Sequence, residues 1–373
     1  MKTAADFQAL REEFPTTRKW AYLNIANKAP LPRAAEEAAS AFFRDIRENA
    51  GGEAFSNGRV EAARESLARL LGVPPAALAF IKNTSEGFNI AAQALDLRAG
   101  ENVLLTDREH LNQIYAWRHL EARGVEVRWV RARGGRLPVE AFTGQMDAKT
   151  RAAALSYVTY GNGCRVDLPA LCAACRERGI VSVVDGIQAL GALAAPVPAL
   201  GADIMVAGAH KGLLGLNGSG ILYCRGDLIP RLRPPFVARS SMTAEAVSRA
   251  EAGFAPDARR FEYGNPNYLS LWVLRASADF LAGIGLDRIE ERIRALTTQL
   301  MEMLEERRLD CLTPRPWAER AGIVSIAVPD PEGTIARLRR EGIVASAKDG
   351  ALRVSVHFYN SEEDLTRLVR ALP

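Results

Sequence analysis

The chain has 373 residues, 48% of them apolar and 25% charged, the make-up of an ordinary soluble globular protein. That length exceeds one small core and predicts two domains, or two to three at ~150 residues each. A net charge of +4, from 48 basic and 44 acidic groups, is spread without a concentrated basic tract, so nothing in it argues for nucleic acid or an acidic membrane surface.

The first segment, MKTAADFQALREEFP, carries acidic residues and no apolar stretch of signal-peptide type. No run of about 18 apolar residues occurs, so no membrane span is expected. Residues 1–20 read as an arm or short helix leading into the extended AYLNIANKAPLP. Residues 33–72 carry long helical patterns, closed by Pro74 and Pro75. From about 76 to 225, short apolar runs alternate with helix-length segments: ALAFI, NVLLT, VEVRWV, AAALSYV, VSVVD, DIMVAGA and GILYC. Such Val-, Ile- and Leu-rich runs predict a mainly parallel sheet buried on both faces, hence a doubly wound α/β domain. Ligands in such sheets bind beyond the carboxyl ends of the strands.

Residues 226–265 are irregular, with Pro234, Pro235 and Gly253, and read as a mobile loop. One long helix is expected from about 268, through LSLWVLRASADFLAGIG into LDRIEERIRALTTQLMEMLEERR. The remainder alternates short strands and helices and predicts a smaller α+β C-terminal domain. Ser361 with Glu363 and Asp364 signals the start of its last helix.

The cysteines are Cys164, Cys172, Cys175, Cys224 and Cys311, an odd and sparse set that does not read as a disulfide framework. Cys172 and Cys175 form a CxxC inside a helical pattern, and no second pair or His cluster completes a zinc site. A structural role and a reducing cytoplasm are the expectation, with no metal.

Chemistry concentrates after two apolar runs. VSVVD ends in Asp185, with Gln188 three residues on, and DIMVAGA leads into His210 and Lys211 within a Gly-rich stretch. A partly desolvated Lys has a lowered pKa and acts as nucleophile and base. Asp185 can hold a pyridinium nitrogen protonated, and Gln188 can reach a ring phenolic oxygen. Together they fit pyridoxal 5'-phosphate bound to Lys211 as a Schiff base. Taken alone, Lys211 is a solvated lysine and Asp185 a helix cap. KNTSEGFN places Thr84 and Ser85 at a helix start, where free N–H groups suit a phosphate, although simple capping uses the same residue types. His110, in DREHLNQIYAW, can stack on a cofactor ring and exchange protons, or be an ordinary surface or core histidine. Arg353, in GALRVSVHFYN, offers a planar guanidinium for a carboxylate, though its position alone says little among so many Arg residues.

Assembled, these segments resemble the class V aminotransferase family of fold-type I pyridoxal phosphate enzymes, which includes cysteine desulfurases, isopenicillin N epimerase-like proteins, kynureninase and C–S lyases. The resemblance covers nearly the full length. It implies a large cofactor-binding domain over residues 20–260 and a small domain from residues 1–19 and 261–373. YLNIANKAPLP resembles the N-terminal substrate loop, implying Asn24 as a substrate contact. NTSEGFN resembles the phosphate segment, implying Thr84 and Ser85, and EHLNQIYAW implies His110 as the stacking residue. SYVTYGNGCRVDL resembles the segment that approaches the oxygen side of the cofactor. VVDGIQALG and AGAHKGLLGLNGSGILY imply Asp185, Gln188, His210 and Lys211. RFEYGNPN resembles the segment reaching the partner subunit's phosphate, so a homodimer with its site at the interface is implied. ALRVSVHFYNSEEDL implies Arg353 as the anchor of the substrate carboxylate.

Three departures are informative. Asn265 stands where the family usually has Thr, and can still donate to phosphate. Gly212 stands where an aromatic commonly follows the lysine, which implies a channel either wider or lined by a loop. IVASAKDGALR holds no Cys, so a desulfurase using an enzyme thiolate is not expected. The implied reaction begins at Cα of an amino acid, with Lys211 as base. Transamination of a small or secondary-metabolite amino acid is the expected outcome. Alternatives are β-elimination such as C–S cleavage, epimerisation, or a cofactor-binding homologue without activity.

Overall fold

In the computed structural model, which describes residues 4–249 and 253–373, the apolar runs between Leu78 and Cys224 pair into one seven-stranded sheet. In chain order the strands are β1 (Ala21–Tyr22), β2 (Leu78–Ile81), β3 (Asn102–Thr106), β4 (Glu126–Val130), β5 (Thr150–Ser156), β6 (Val181–Asp185), β7 (Ile204–Gly208), β8 (Gly220–Cys224), β9 (Ile323–Ile326), β10 (Ile343–Val344), β11 (Ser346–Lys348) and β12 (Ala351–Ser355). The large sheet has the order β2-β8-β7-β6-β5-β3-β4. Pairs β3–β4, β3–β5, β5–β6 and β6–β7 are parallel, whereas β8 runs antiparallel to both β2 and β7.

Strand side chains alternate between two apolar cores, which is how a pleated strand buried on both faces must behave. Leu78, Leu104, Val184 and Met205 enter one core, while Ala79, Val103, Val183 and Ile204 enter the other. The first core continues without a break into the C-terminal part, through Ile293, Val324, Leu352 and Leu365. There β11, β12 and β9 form an antiparallel sheet, and β1 pairs in parallel with β10.

The helices are α1 (Ala4–Glu12), α2 (Arg33–Asn49), α3 (Asn57–Leu71), α4 (Thr84–Ala94), α5 (Leu111–Arg118), α6 (Val139–Thr143), α7 (Leu168–Glu177), α8 (Val197–Leu200), α9 (Ala244–Arg249), α10 (Tyr268–Ile284), α11 (Leu286–Glu306), α12 (Pro331–Arg340) and α13 (Glu362–Ala371). Their starts follow capping chemistry. Asn83, Asp167, Asn267 and Asp330 each accept a first-turn N–H, and Ser361 and Asp364 close a reciprocal box.

The single long helix expected from about 268 is instead two, α10 and α11, bent by 77° at Gly285. Gly285 holds φ +92, a conformation L side chains rarely adopt, so the glycine ends one helix and opens the next. No single helix among the described residues is long and apolar enough to cross a membrane. The irregular stretch 226–265 contains short 3-10 turns and α9, and its residues 250–252 lie outside the described residues.

Candidate active site

The carboxyl ends of the parallel strands converge on a cavity of about 160 Å³. Asp185 is the last residue of β6, Ser156 the last of β5, and Lys211 lies three residues beyond β7. Ser156 and Asp185 are register partners, so β5 and β6 deliver them side by side. Thr84, His110, Asp185, Gln188, His210 and Lys211 all line this one cavity.

Asp185 is buried, and its Oδ1 accepts the Ile187 N–H at 2.8 Å. A turn follows rather than a helix, so the carboxylate caps a turn with one oxygen and has no donor on the other among the described residues. Burial pushes its pKa up to about 6, against the pull of the Ile187 N–H and of Lys211. Burial also pushes Lys211 down to about 8. Asp185 opposes that shift, and the positive charges of Arg353 and Lys348 add to it. An amine with a pKa near 8 is neutral in a minority of molecules at neutral pH, far more than an ordinary lysine, and a nucleophile and base requires that form. His210 is pushed down to about 4 by burial and by Lys211 and Lys28, and is therefore neutral.

Helix α4 supplies the anion site. The Asn83 side chain takes the Glu86 N–H at 3.0 Å, and the Glu86 carboxylate returns to the Lys82 N–H. The N–H groups of Thr84 and Ser85 have no acceptor among the described residues. They lie at the positive end of the helix, so they suit a phosphate. Asn83 is the cap, which leaves the Thr84 hydroxyl uncommitted. The helix lies close on the sheet because residue 87 is glycine. A Cβ there would stand 2.5 Å from Val206 Cγ1 and 2.8 Å from Ile81 Cδ1.

His110 caps α5, its Nδ1 accepting the Asn112 N–H at 3.2 Å, and its ring meets Tyr160 edge-on at 5.3 Å. It is exposed at the mouth of the cavity, and desolvation first, then Lys211, Lys348 and Arg353, hold its pKa below the usual value. Gln188 donates one amide N–H to the Ala26 carbonyl at 3.0 Å. Its second N–H stays available to a ring oxygen.

Four of the expected residues stand apart from the cavity lining. Ser85 is half-buried in the first turn of α4, its carbonyl accepting from Asn89. Arg353 is buried behind Tyr160, donating to its carbonyl at 2.7 Å and to Ser346 Oγ at 3.1 Å. Burial pushes it down to about 10, and none of its hydrogen bonds among the described residues goes to a carboxylate. Asn24 is buried beside Ser355, with its Oδ1 free of a protein donor. Asn265 lines a separate pocket of about 520 Å³ with Lys82, Glu86 and Tyr263. That pocket is larger, but its Lys82 is exposed and ion-paired to Glu86 at 3.5 Å, unlike the desolvated Lys211. It includes Glu86 of the same α4 terminus.

Gly212 meets the turn after Gln188. A Cβ on it would stand 2.3 Å from the Leu190 carbonyl oxygen. Backbone of the 190–192 turn thus fills the space that a side chain at position 212 would occupy. The cysteines stay away from the chemistry. Cys172 and Cys175 are buried on α7, where burial pushes their thiols up to about 11 and about 12, and no cysteine lines the cavity.

Glu109 escaped sequence reasoning. It sits in a polar-looking turn, DREHLNQ, yet is buried. Its carboxylate accepts the Thr106 hydroxyl at 2.6 Å, the Ser156 N–H at 3.0 Å and the Ser156 hydroxyl. It thereby ties the turn bearing His110 to the ends of β3 and β5. Burial pushes it up to about 7. The available signal was a Glu directly before the candidate His and three residues after the Thr that ends β3. Glu109→Ala leaves three buried donors unpartnered and is expected to lower stability by about 3 kcal/mol in a urea titration, while Glu109→Gln, which keeps an acceptor, loses less than half of that.

Residues 21–368 match the Aminotransferase class-V family. The chain belongs to that family. Among class V relatives, it is 33% identical over 336 residues to the isopenicillin N epimerase of Amycolatopsis lactamdurans, covering 83% of each chain. It is 27% identical to a probable cysteine desulfurase of Methanothermobacter thermautotrophicus, over 97% of this chain and 96% of the relative. In structure it is similar to a C-DES mutant with glycine covalently linked to its PLP cofactor, at TM-score 0.89 and 25% identity over 96% of this chain and 98% of that one. The apo cysteine desulfurase of Thermococcus onnurineus shares the fold at TM-score 0.88 and 24% identity, over 99% of this chain and 97% of that one. The chain is thus a class V enzyme of the fold-type I class, and its cofactor is pyridoxal 5'-phosphate. The residues present fit that group. An amine of lowered pKa, a buried carboxylate with a free oxygen and the α4 terminus at Thr84 all open on one cavity.

Proposed function

We propose that this chain binds pyridoxal phosphate through Lys211 and catalyses transamination of an amino acid. The observation that carries the reading is the Lys211–Asp185 pair. An amine pushed down to about 8 and a buried carboxylate share the cavity where the strands end. When bound, pyridoxal phosphate supplies the electron sink that makes the Cα–H of an attached amino acid acidic. Asp185 would keep the cofactor's ring nitrogen protonated. Thr84, Ser85 and His210 would hold the phosphate, and Gln188 the ring oxygen. His110 would cover the ring, and Arg353, with Asn24, would anchor the substrate carboxylate once Tyr160 yields access. Lys211 Nζ would take the Cα proton and return it, a one-base transfer that transamination needs and that no enzyme thiol assists.

Asn265 is proposed to serve the neighbouring subunit, since its pocket flanks the α4 terminus whose Thr84 lines the lysine cavity. The active species is then a homodimer, and a stable, active monomer in sedimentation experiments contradicts it. A cytoplasmic setting is supported by unpaired cysteines, most of them buried.

A panel of amino acids tests the reaction. Formation of a keto acid that depends on an added keto-acid acceptor supports transamination. Pyruvate and ammonia without an acceptor sink it in favour of β-elimination. Epimerisation is the second reading, favoured by the 33% identity to an isopenicillin N epimerase. Its signature is inversion at Cα with deuterium uptake from heavy water and no keto acid.

A further inference from the structure

Next to the main cavity, sharing Ile187, Gln188 and Lys211 with it, lies a second and much smaller space of about 20 Å³. Lys211, Gln188, Ser355 and His357 line it. His357 is 1% exposed, and neither ring nitrogen has a hydrogen-bond partner among the described residues. Burial pushes its pKa down to about 3, so the ring is neutral and offers one donor and one acceptor. The Gly191 carbonyl lies near enough to oppose that shift but outside hydrogen-bond geometry. A buried imidazole with both nitrogens idle is costly unless something satisfies it. Ser355 Oγ accepts the Ala26 N–H at 2.9 Å, which leaves its own hydroxyl proton free to donate.

We infer that this space is a single-water site, in which one water bridges His357 and Lys211 Nζ and makes His357 a positioning residue for the lysine. A water needs about 10–15 Å³ of such volume and two to four polar partners. The site has room for one water and not for two, and His357, Ser355 and Lys211 supply the partners. No side chain or backbone group of the protein donates to or accepts from Lys211 Nζ among the described residues, so the water would be what directs the amine's lone pair toward the main cavity. It would also link the lysine to the segment following β12, the strand that carries Arg353. The inference rests on the proposal that Lys211 is the amine bonding pyridoxal phosphate.

The test has two readouts. A high-resolution crystal structure of the wild-type protein should show one water about 3 Å from both His357 and Lys211. The rate at which apo-protein loads pyridoxal phosphate, followed by absorbance, should fall about tenfold in His357→Phe, the worth of one oriented hydrogen bond, with final occupancy unchanged. His357→Asn, which keeps a donor and an acceptor, should restore the rate to within about twofold. A dry cavity in the wild type overturns the inference, as does an unchanged loading rate in His357→Phe. Where His357→Phe does not fold, the wild-type crystal and the His357→Asn rate decide. A wild-type chain that takes up no cofactor brings down the Lys211 assignment instead, and the crystal still decides the water.

Discussion

Lys211→Ala is expected to lower turnover by about 10³-fold or more, since it removes the amine that serves as base and nucleophile in the cavity. The lysine–aldehyde absorbance should vanish, while pyridoxal phosphate still binds non-covalently through the α4 terminus and Asp185. Retained turnover near the wild-type level would refute the assignment. The variant should not unfold. Burial pushes the lysine pKa below its ordinary value, so the native state holds its proton less tightly than the unfolded chain does. That penalty is fully present below about pH 8 and fades as pH rises toward the unfolded value. Removing the charged amine therefore relieves the cofactor-free protein of that cost at neutral pH, set against the packing lost with the lysine's apolar stem. A thermal melt should show an equal or higher Tm for Lys211→Ala than for wild-type apo-protein, whereas a lysine with a purely structural role would show a fall.

How much of this was legible in the sequence follows from what each residue depends on. Strands such as VSVVD and DIMVAGA announce themselves by composition, and their burial on both faces makes the pattern continuous. Asp185 and Lys211 were legible because a strand end is where a doubly wound sheet puts chemistry. Gly285 was misread because an isolated glycine in an apolar pattern looks like a tolerated weak point, and only its positive φ turns it into a 77° corner. Glu109 and His357 were missed for a shared reason. Their burial is decided by partners far away in sequence, Ser156 for the first and the loops around Gln188 and Gly191 for the second. Arg353 was picked out as an anchor, but its seat behind Tyr160 depends on a hydrogen bond spanning 193 residues, which no local pattern encodes. The capping role of Asn83 was equally available to its neighbours Thr84 and Ser85, and only the backbone assigns it.

Asp185→Asn separates the cost of the site from its use. The carboxylate is 6% exposed, with a pKa pushed from 3.8 to about 6 by burial. Between those values the native state binds more protons than the unfolded chain, so stability falls as pH rises through the window. Above it the full penalty applies, about 3 kcal/mol by the conversion of a pKa shift to free energy. Asparagine has nearly the same shape, does not titrate, and still accepts the Ile187 N–H. Part of the gain is lost, because Lys211 no longer has a negative neighbour. The cofactor-free variant is therefore expected to be about 1–2 kcal/mol more stable than wild type at pH 8 and indistinguishable from it near pH 4, read by urea unfolding at both values. Turnover should move the opposite way, falling by about 10²–10³-fold, because a neutral amide cannot hold the ring nitrogen of pyridoxal phosphate protonated. A variant that loses activity and stability together would make Asp185 a structural cap of the 186–190 turn. Gain of one with loss of the other is what a carboxylate kept in place for chemistry, against its own solvation, must give.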